Sequence, residues 1–355
     1  MSIVTHTRKR RKNNMLTPED IERYKGHIAS KERAREEKEH DKERAKVNQS
    51  VYAATFDLEA VLYTPCSNVS QIFYKRKLAC YNLSIYDLGS KDGTCYLWDE
   101  SQAARGSSEI GTCIVTQLQG LPRCVKHVIL YSDCCTGQNR NQYITAGLLH
   151  ALQNSGNLET IEQKFLESGH TQMECDSMHS TIEQAKKRAS IFIPSQWDTI
   201  ITMARKKHPY IVVPLRFNQF YDLQKVAKEN YGSFKQTTDG EKVNWGKIKI
   251  IKIDKKEEHT IMLKYSYDDD NYKKINVEKN LKRGERRSGK EVCLSQKYID
   301  KRPISVEKKN DLISFCNSLV IPPIYWHFYN SLTTNTTVKD RLPLSDHLED
   351  DQDSE

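Results

Sequence analysis

Hydrophobic positions are sparse before residue 50 and regular after it. A helical pattern begins at Thr17, a favoured capping residue, and Pro18, a favoured residue at the first helical position. The pattern extends to about residue 46, but apolar residues become rare after Ile28. From residue 51 the chain changes to short β-prone runs and amphipathic helical periods. We therefore expect a charged, solvent-exposed helical arm followed by a folded α/β core.

The core pattern predicts three strands in a meander, followed by alternating helices and strands. The predicted strands are residues 51–58, 78–88, 94–98, 128–132 and 160–166. Three helices are predicted: one begins at residue 107, and the other two cover residues 139–153 and 176–188. An Asp-Gly pair before the third strand indicates a hairpin. The order β-β-β-α-β-α-β-α is that of the ribonuclease H-like fold, an α/β fold with a mixed sheet. In that fold the first and fourth strands are neighbours.

Changes in composition predict four segments. They are a basic tail and charged helical arm at 1–49, the ribonuclease H-like core at 50–230, an α+β C-terminal extension at 231–335 and an acidic disordered tail at 336–355. Strong alternation at 245–253 and 259–267 predicts paired strands, with a third at 272–277. We therefore expect a small β-sheet in the C-terminal extension.

Composition narrows the class of protein. The 355 residues carry a net charge of +8, which suits a polyanionic partner. No run of about 18 apolar residues predicts a membrane span, and the polar N-terminus lacks a secretory signal. Ten cysteines without a C-x-x-C pair favour a reducing, intracellular location. The basic run at 8–12 predicts nuclear import or phosphate contact, and a solvated tail is the alternative.

Acidic residues fall at the ends of the predicted core elements. Asp57 lies in the first strand, Asp133 directly follows the fourth, and Asp176 or Glu183 lies in the late helix. Glu109 lies in the first turn of the first core helix. Clustered carboxylates at such places can hold two Mg²⁺ or Mn²⁺ ions about 3.5–4 Å apart for phosphodiester chemistry. The alternative is that each acid caps a turn or a helix.

Softer ligands in the same region allow a zinc site instead. Cys134, Cys135, His170, Cys175 and His179 are candidates, and the last two are spaced i,i+4 on the predicted helix. Without a C-x-x-C knuckle, we rank buried free cysteines ahead of zinc ligation.

The turn after Asp133 is unusually polar. Gln138, Asn139, Arg140 and Asn141, together with His170, are candidates for contact with a phosphate or a base. Capping and turn chemistry by the asparagines is the alternative.

Several of these motifs together resemble a known family. Asp133-Cys134 with the 137–141 turn, the 169–171 turn, and Asp176 with Ile182-Glu183 are similar to motifs of an uncharacterised, insect-rich eukaryotic family. The resemblance covers most of residues 51–332, and members look like mobile-element-derived, ribonuclease H-like proteins similar to DDE/D transposases. Members often carry a Cys-rich segment before the charged helix. This chain lacks one and resembles a shortened copy.

The resemblance implies metal-dependent phosphodiester chemistry on DNA, of the nuclease or integrase type, in the nucleus. The implied metal ligands are Asp57, Asp133 and Asp176, with Glu109 and Glu183 as auxiliary or replacement ligands. A catalytically inactive, domesticated protein of the same fold is the alternative. Such a protein would bind nucleic acid without cleaving it. Alternatively, its N-terminal helix would bind a protein partner or a second copy of the chain.

Overall fold

One mixed sheet with helices on both faces forms the described part of the chain. The computed structural model describes residues 17–135, 137–167, 173–279 and 294–340. The ten strands are β1 (Val51–Leu58), β2 (Leu62–Thr64), β3 (Leu78–Asp87), β4 (Gly93–Asp99), β5 (His127–Ser132), β6 (Thr160–Phe165), β7 (Ile211–Pro214), β8 (Ile250–Asp254), β9 (Thr260–Lys264) and β10 (Lys273–Asn276).

Eight α-helices accompany the sheet in the described residues. They are α1 (Pro18–Val47), α2 (Ser107–Gln119), α3 (Gln142–Asn154), α4 (Glu174–Lys186), α5 (Gln196–Ala204), α6 (Leu223–Asn230), α7 (Val306–Asn317) and α8 (Trp326–Ser331). None of these helices is both long and apolar enough to cross a membrane.

Strand β1 lies inside the sheet, where its neighbours were predicted correctly. The order is β10-β9-β8-β6-β5-β1-β3-β4-β7, with the short β2 paired to β3 off this path. β1 is antiparallel to β3 and parallel to β5, and β5 is parallel to β6. Both faces of these central strands are covered, which explains their near-continuous apolar runs. The predicted adjacency of the first strand and the strand ending before Asp133 is confirmed.

Alternation along β1 divides its side chains between two cores. Tyr52, Ala54 and Phe56 pack with the side chains of α2 and α3. Val51 and Ala53 point to the other face, where they pack in a cluster that includes Cys175 of α4. Residues 57 and 59 continue the second set, so their side chains belong to the face that α4 covers.

The strands of the C-terminal extension pair with one another and also continue the central sheet. β8 pairs antiparallel with β6, and β9 and β10 follow, so all three extend the central sheet. The apolar side chains of Ile251 and Ile253 join the same core as Ile161 of β6. Pairing with the free edge of β6 gives these strands a larger buried surface than a separate three-stranded sheet would have.

Helix α1 is docked, so the prediction of a solvent-exposed arm is wrong for its second half. Ala34, Lys38 and Asp41 are buried, and Asp41 is only 2 % exposed. The Asp41 carboxylate accepts hydrogen bonds from the Tyr131 hydroxyl at 2.6 Å and from the Lys164 ammonium at 2.5 Å. Paired charges rather than an apolar stripe hold this helix. The predicted basic run at 8–12 and the acidic end at 346–355 lie outside the described residues.

Candidate metal centre

Three side chains from two elements meet on the face of the sheet that α4 covers. Asp57 lies near the end of β1, and Asp176 and His179 lie three residues apart on α4. Their potential ligand atoms all lie within 4.8 Å of one another. Residues spaced i,i+3 share one side of a helix, which explains why α4 presents both to Asp57.

Local contacts fix α4 in this position. The Asp176 carboxylate caps the helix by accepting a hydrogen bond from the Met173 N–H at 2.8 Å. The buried Cys175 thiol lies 3.4 Å from the carbonyl oxygen of Thr55 and 3.5 Å from that of Ser84. The first turn of α4 is therefore fixed against both β1 and β3.

The electrostatics of the three groups favour a bound cation. Burial, followed by the negative charges of Asp133 and Asp176, raises the pKa of Asp57 to about 7. Burial also lowers the pKa of His179 to about 4, so its imidazole is neutral at neutral pH. The His179 Nε2 atom is buried and has no hydrogen-bond partner in the described part of the chain. A cation would relieve the crowding of the acids and provide a partner for a neutral imidazole.

Asp133 lies beside this group rather than within it. β1 and β5 are paired with Thr55 opposite Tyr131, so Asp57 and Asp133, each two residues further along, are level on neighbouring strands. The Asp133 Oδ1 atom accepts a hydrogen bond from the Cys135 N–H at 3.2 Å and another from the Asn139 side-chain amide. These bonds hold one oxygen of Asp133 in the turn, while its charge acts on Asp57.

Asp176, and not Glu183, joins Asp57 in the group of three. Glu183 lies about two turns beyond Asp176 on α4, its side chain is 40 % exposed, and it forms an ion pair with Lys186 at 2.7 Å.

Glu109 does not join the group and has structural contacts instead. It is fully buried and pairs with the Lys297 ammonium at 2.6 Å, while the Tyr298 hydroxyl donates a hydrogen bond to it. Its second oxygen accepts a hydrogen bond from the Gly106 N–H at 2.9 Å, at the start of α2. Burial opposes its ionisation, but Lys297 and these hydrogen bonds hold the pKa of Glu109 below its usual value.

Glu59 is a residue of this region that the sequence analysis missed. It follows β1 directly, is 4 % exposed, and accepts a hydrogen bond from the Asn82 side-chain amide at 2.8 Å. Burial, with a smaller contribution from the charge of Glu183, raises the pKa of Glu59 to about 8. Glu59 lies two residues after Asp57, and residues with this spacing point to the same face of a strand. This spacing could have identified Glu59 from the sequence.

The polar turn after Asp133 has structural contacts at three of the positions predicted to contact nucleic acid. Asn139 and Arg140 are buried, and the Arg140 guanidinium donates to the Ile248 carbonyl oxygen at 3.2 Å. Asn141 caps α3 by accepting hydrogen bonds from two backbone N–H groups, at 3.0 and 3.1 Å. Packing and capping therefore account for these side chains. Gln138 is half-buried, and His170 lies outside the described residues.

The nine cysteines in the described residues are free thiols. Cys134 donates a hydrogen bond to the Leu166 carbonyl oxygen at 2.6 Å, and Cys175 is buried against the sheet. No cysteine belongs to a metal-ligating group in the portion of the chain that is described. His179 is thus brought to carboxylates, rather than to the thiol of Cys175 with which the sequence analysis paired it.

A groove of about 990 Å³ begins at Asp176 and runs between α4 and α5. Its walls carry the hydroxyl groups of Ser177, Ser180 and Thr181. Arg188 and Lys206 add two positive charges to the lining. The candidate metal centre is therefore next to an open surface that suits an anionic ligand.

Together, the fold and the site define an α/β protein with an acidic candidate metal centre on one face of a mixed sheet. The family model described as "Domain of unknown function (DUF7869)" matches residues 88–265, half of the chain, and the chain belongs to this family. The matched segment includes Asp133, Asp176 and His179, and β1 with Asp57 precedes it. Neither a curated protein nor a solved structure matches the chain.

Proposed function

We propose that the protein is a divalent-metal-dependent enzyme that acts on phosphodiester bonds of nucleic acid, with DNA as the first candidate substrate. One observation carries the proposal: Asp57, Asp176 and His179 bring their ligand atoms within 4.8 Å of one another. Asp133 adds a third carboxyl group close to Asp57. An active site of this kind needs clustered acids from separate elements, which this arrangement supplies.

The strand order supports a ribonuclease H-like, transposase-derived origin. β4, β3 and β1 form an antiparallel meander, and β5 and β6 extend it in parallel with β1. Such a fold is expected to bring acids from the first strand, the fourth core strand and a late helix together. Asp57, Asp133 and Asp176 occupy those places. The fold alone is an analogy, and the site geometry is the stronger support.

The donor set of the centre suits Mn²⁺ better than Mg²⁺. Carboxylate oxygens suit both ions, but an imidazole ligand is uncommon for Mg²⁺, which keeps waters and oxygen ligands. The neutral Nε2 of His179, which lacks a hydrogen-bond partner among the described residues, fits a Mn²⁺ ligand. A bound ion of this kind activates the attacking oxygen or stabilises the leaving oxygen of a phosphodiester.

The protein side chains have separate tasks in this proposal. Asp57 and Asp176 hold the cation with anionic oxygens, and His179 supplies a neutral nitrogen. Because Asp57 has a pKa of about 7 without a cation, binding displaces a proton from part of the population at neutral pH. Affinity for the cation should therefore increase as pH rises through 7.

The groove between α4 and α5 is the proposed path for the nucleic-acid backbone. Its basic residues, Arg188 and Lys206, lie on the same open surface as Asp176. Phosphate contacts by such residues give affinity that decreases with salt. A nuclear location, suggested by the basic run at 8–12, is part of the same proposal.

A cleavage assay with matched variants tests the proposal. The full chain is incubated with end-labelled single- and double-stranded DNA and RNA in Mn²⁺, Mg²⁺ or EDTA. We expect Mn²⁺-dependent cleavage that falls about 100-fold or more in Asp57→Asn. Asp92→Asn makes the same charge change at an exposed turn between β3 and β4 and should behave like the wild type.

Two outcomes of the assay would overturn the enzymatic proposal. One is salt-sensitive binding with no cleavage in either metal, which would indicate an inactive binding protein of the same fold. The other is cleavage that Asp57→Asn leaves unchanged, since the activity would then arise elsewhere.

A further inference from the structure

We infer that Glu59 and Glu183 form a second cation subsite next to the centre of Asp57, Asp176 and His179. The inference rests on the proposed function, because it assigns residues to a second ion at the same site. It starts from Glu59, an acid that neither the family match nor the sequence analysis assigns.

Glu59 is a buried acid, and only one of its two carboxyl oxygens has a hydrogen-bond partner among the described residues. Its backbone N–H donates to the Asn82 carbonyl oxygen at 2.9 Å, and its Oε2 accepts from the Asn82 side-chain amide at 2.8 Å. The side chain is 4 % exposed, yet its Oε1 has no hydrogen-bond partner among the described residues. Leaving a carboxylate oxygen buried and unpaired is unfavourable, and a cation would satisfy it.

Glu183 lies on the side of α4 that faces β1. It follows His179 by four residues, so the two share one side of α4. The charges of Glu183 and Asp57 both contribute to the raised pKa of Glu59, which supports their being near it. β1 and α4 therefore run side by side, and each carries acids at two successive positions along its axis, which we call the first and second levels.

The two levels are close but distinct. Two residues along a strand advance about 6.6 Å, and one helical turn advances about 5.4 Å. Asp57, Asp176 and His179 occupy the first level, and Glu59 and Glu183 occupy the second. The second set of ligands is thus adjacent to the first centre and does not share its imidazole.

Oxygen atoms alone make up the second subsite. Asn82 is fully buried, and its Oδ1 also lacks a hydrogen-bond partner in the described part of the chain. Carboxylate and amide oxygens are the ligands that hard divalent cations prefer. The second subsite should therefore accept Mg²⁺, Ca²⁺ or Mn²⁺, whereas the first should favour Mn²⁺.

Lys186 competes with a cation for the second subsite. Its ammonium lies 2.7 Å from Glu183 and its positive charge also acts on Glu59. A cation must displace this ammonium before Glu183 can become a ligand. The second ion should therefore bind more weakly than the first, and removal of the ammonium should strengthen its binding.

A Mn²⁺ titration of the full chain, followed by calorimetry and by the electron paramagnetic resonance of free Mn²⁺, tests the subsite. We expect two ions in the wild type, a tight one and a weak one. Glu59→Gln and Glu183→Gln should each abolish binding of the weakly bound ion. Each should leave the affinity for the tightly bound ion within about 3-fold of the wild-type value. Lys186→Met should increase the affinity for the weakly bound ion about 10-fold, because it removes one competing positive charge. Asp92→Asn should match the wild type.

The outcomes separate this inference from the proposed function. Two ions with wild-type affinities in both Glu59→Gln and Glu183→Gln would overturn the second subsite, as would a single ion in both the wild type and Lys186→Met. Loss of the tight ion in Asp57→Asn would still support the first centre in either case. Because Glu183 is 40 % exposed, its variant keeps the test valid even where Glu59→Gln disturbs folding.

Discussion

Asp57 lies near the end of β1 and Glu59 directly follows the strand, and the alternation along β1 assigns both side chains to the face that α4 covers. Burial raises the pKa of Asp57 to about 7 and that of Glu59 to about 8, and in each case neighbouring acids add to the effect. Two such groups make the folded protein hold protons that the unfolded chain releases at lower pH. They therefore affect stability as well as cation binding.

The free energy of unfolding should fall with rising pH because of these two acids. An unfolded chain binds fewer protons than the folded one between the ordinary carboxyl pKa, near 4, and the raised values of about 7 and about 8. Their contribution is thus absent below this window, where both states are protonated, and unfavourable above it. In EDTA, Glu59→Gln should match the wild type within about 1 kcal/mol at pH 5 and exceed its stability by a few kcal/mol at pH 9, since one pKa unit corresponds to about 1.4 kcal/mol.

Urea unfolding at both pH values measures this difference. Asp92→Asn is the control for the removal of an exposed acid. Equal pH dependence in the wild type and in Glu59→Gln would contradict the raised pKa of Glu59.

Glu109→Gln should damage stability and leave cation binding unchanged. The substitution removes the charge that pairs with Lys297 and leaves that ammonium without its partner. We expect a loss of about 2–4 kcal/mol at pH 7, the range for breaking a partly buried pair. Because the pKa of Glu109 is lowered, its contribution is present at neutral pH and is lost as pH falls through that pKa. Thermal unfolding and a Mn²⁺ titration of one preparation measure both effects.

Lys297→Met offers a matched partner variant, which should lose a similar amount of stability. A weakened affinity for Mn²⁺ in Glu109→Gln would show that Glu109 belongs to the metal centre after all.

Asp41→Ala should loosen α1 from the sheet. It leaves the Lys164 ammonium buried without its closest partner and removes the acceptor of the Tyr131 hydroxyl. We expect a loss of about 3–5 kcal/mol and faster hydrogen exchange along α1. Glu39→Ala, at an exposed position of the same helix, should cost less than about 1 kcal/mol. Equal effects of the two substitutions would contradict the anchoring role of Asp41.

The central strands and the first two acids could be predicted from the sequence because their information is local. β1 and β5 are continuous apolar runs, and each leads directly to an acid. The meander followed by alternating helices then determines which strands are neighbours, and this prediction placed Asp57 beside Asp133. The late helix was also predicted, although it left open whether Asp176 or Glu183 faces the strand.

The errors and the missed contacts concern features that depend on tertiary partners. Helix α1 lacks an apolar stripe, so nothing in its own pattern shows that Asp41 will be buried beside Lys164. Strand β8 alternates as an independent strand would, and its pairing with β6 depends on a sheet edge far away in the chain. Arg140 looks like a surface residue in the sequence, but in the structure its guanidinium carbon lies 5.6 Å from the centre of the Phe165 ring.

The most direct measurement of the central claim is pulsed electron paramagnetic resonance of Mn²⁺ bound to the full chain at one ion per protein. Coordination by His179 predicts a nitrogen coupling from the imidazole in the wild type. His179→Gln should remove that coupling, and Asp57→Asn should weaken Mn²⁺ binding about 100-fold. A nitrogen coupling that persists in His179→Gln, or wild-type affinity in Asp57→Asn, would contradict a metal centre at Asp57, Asp176 and His179.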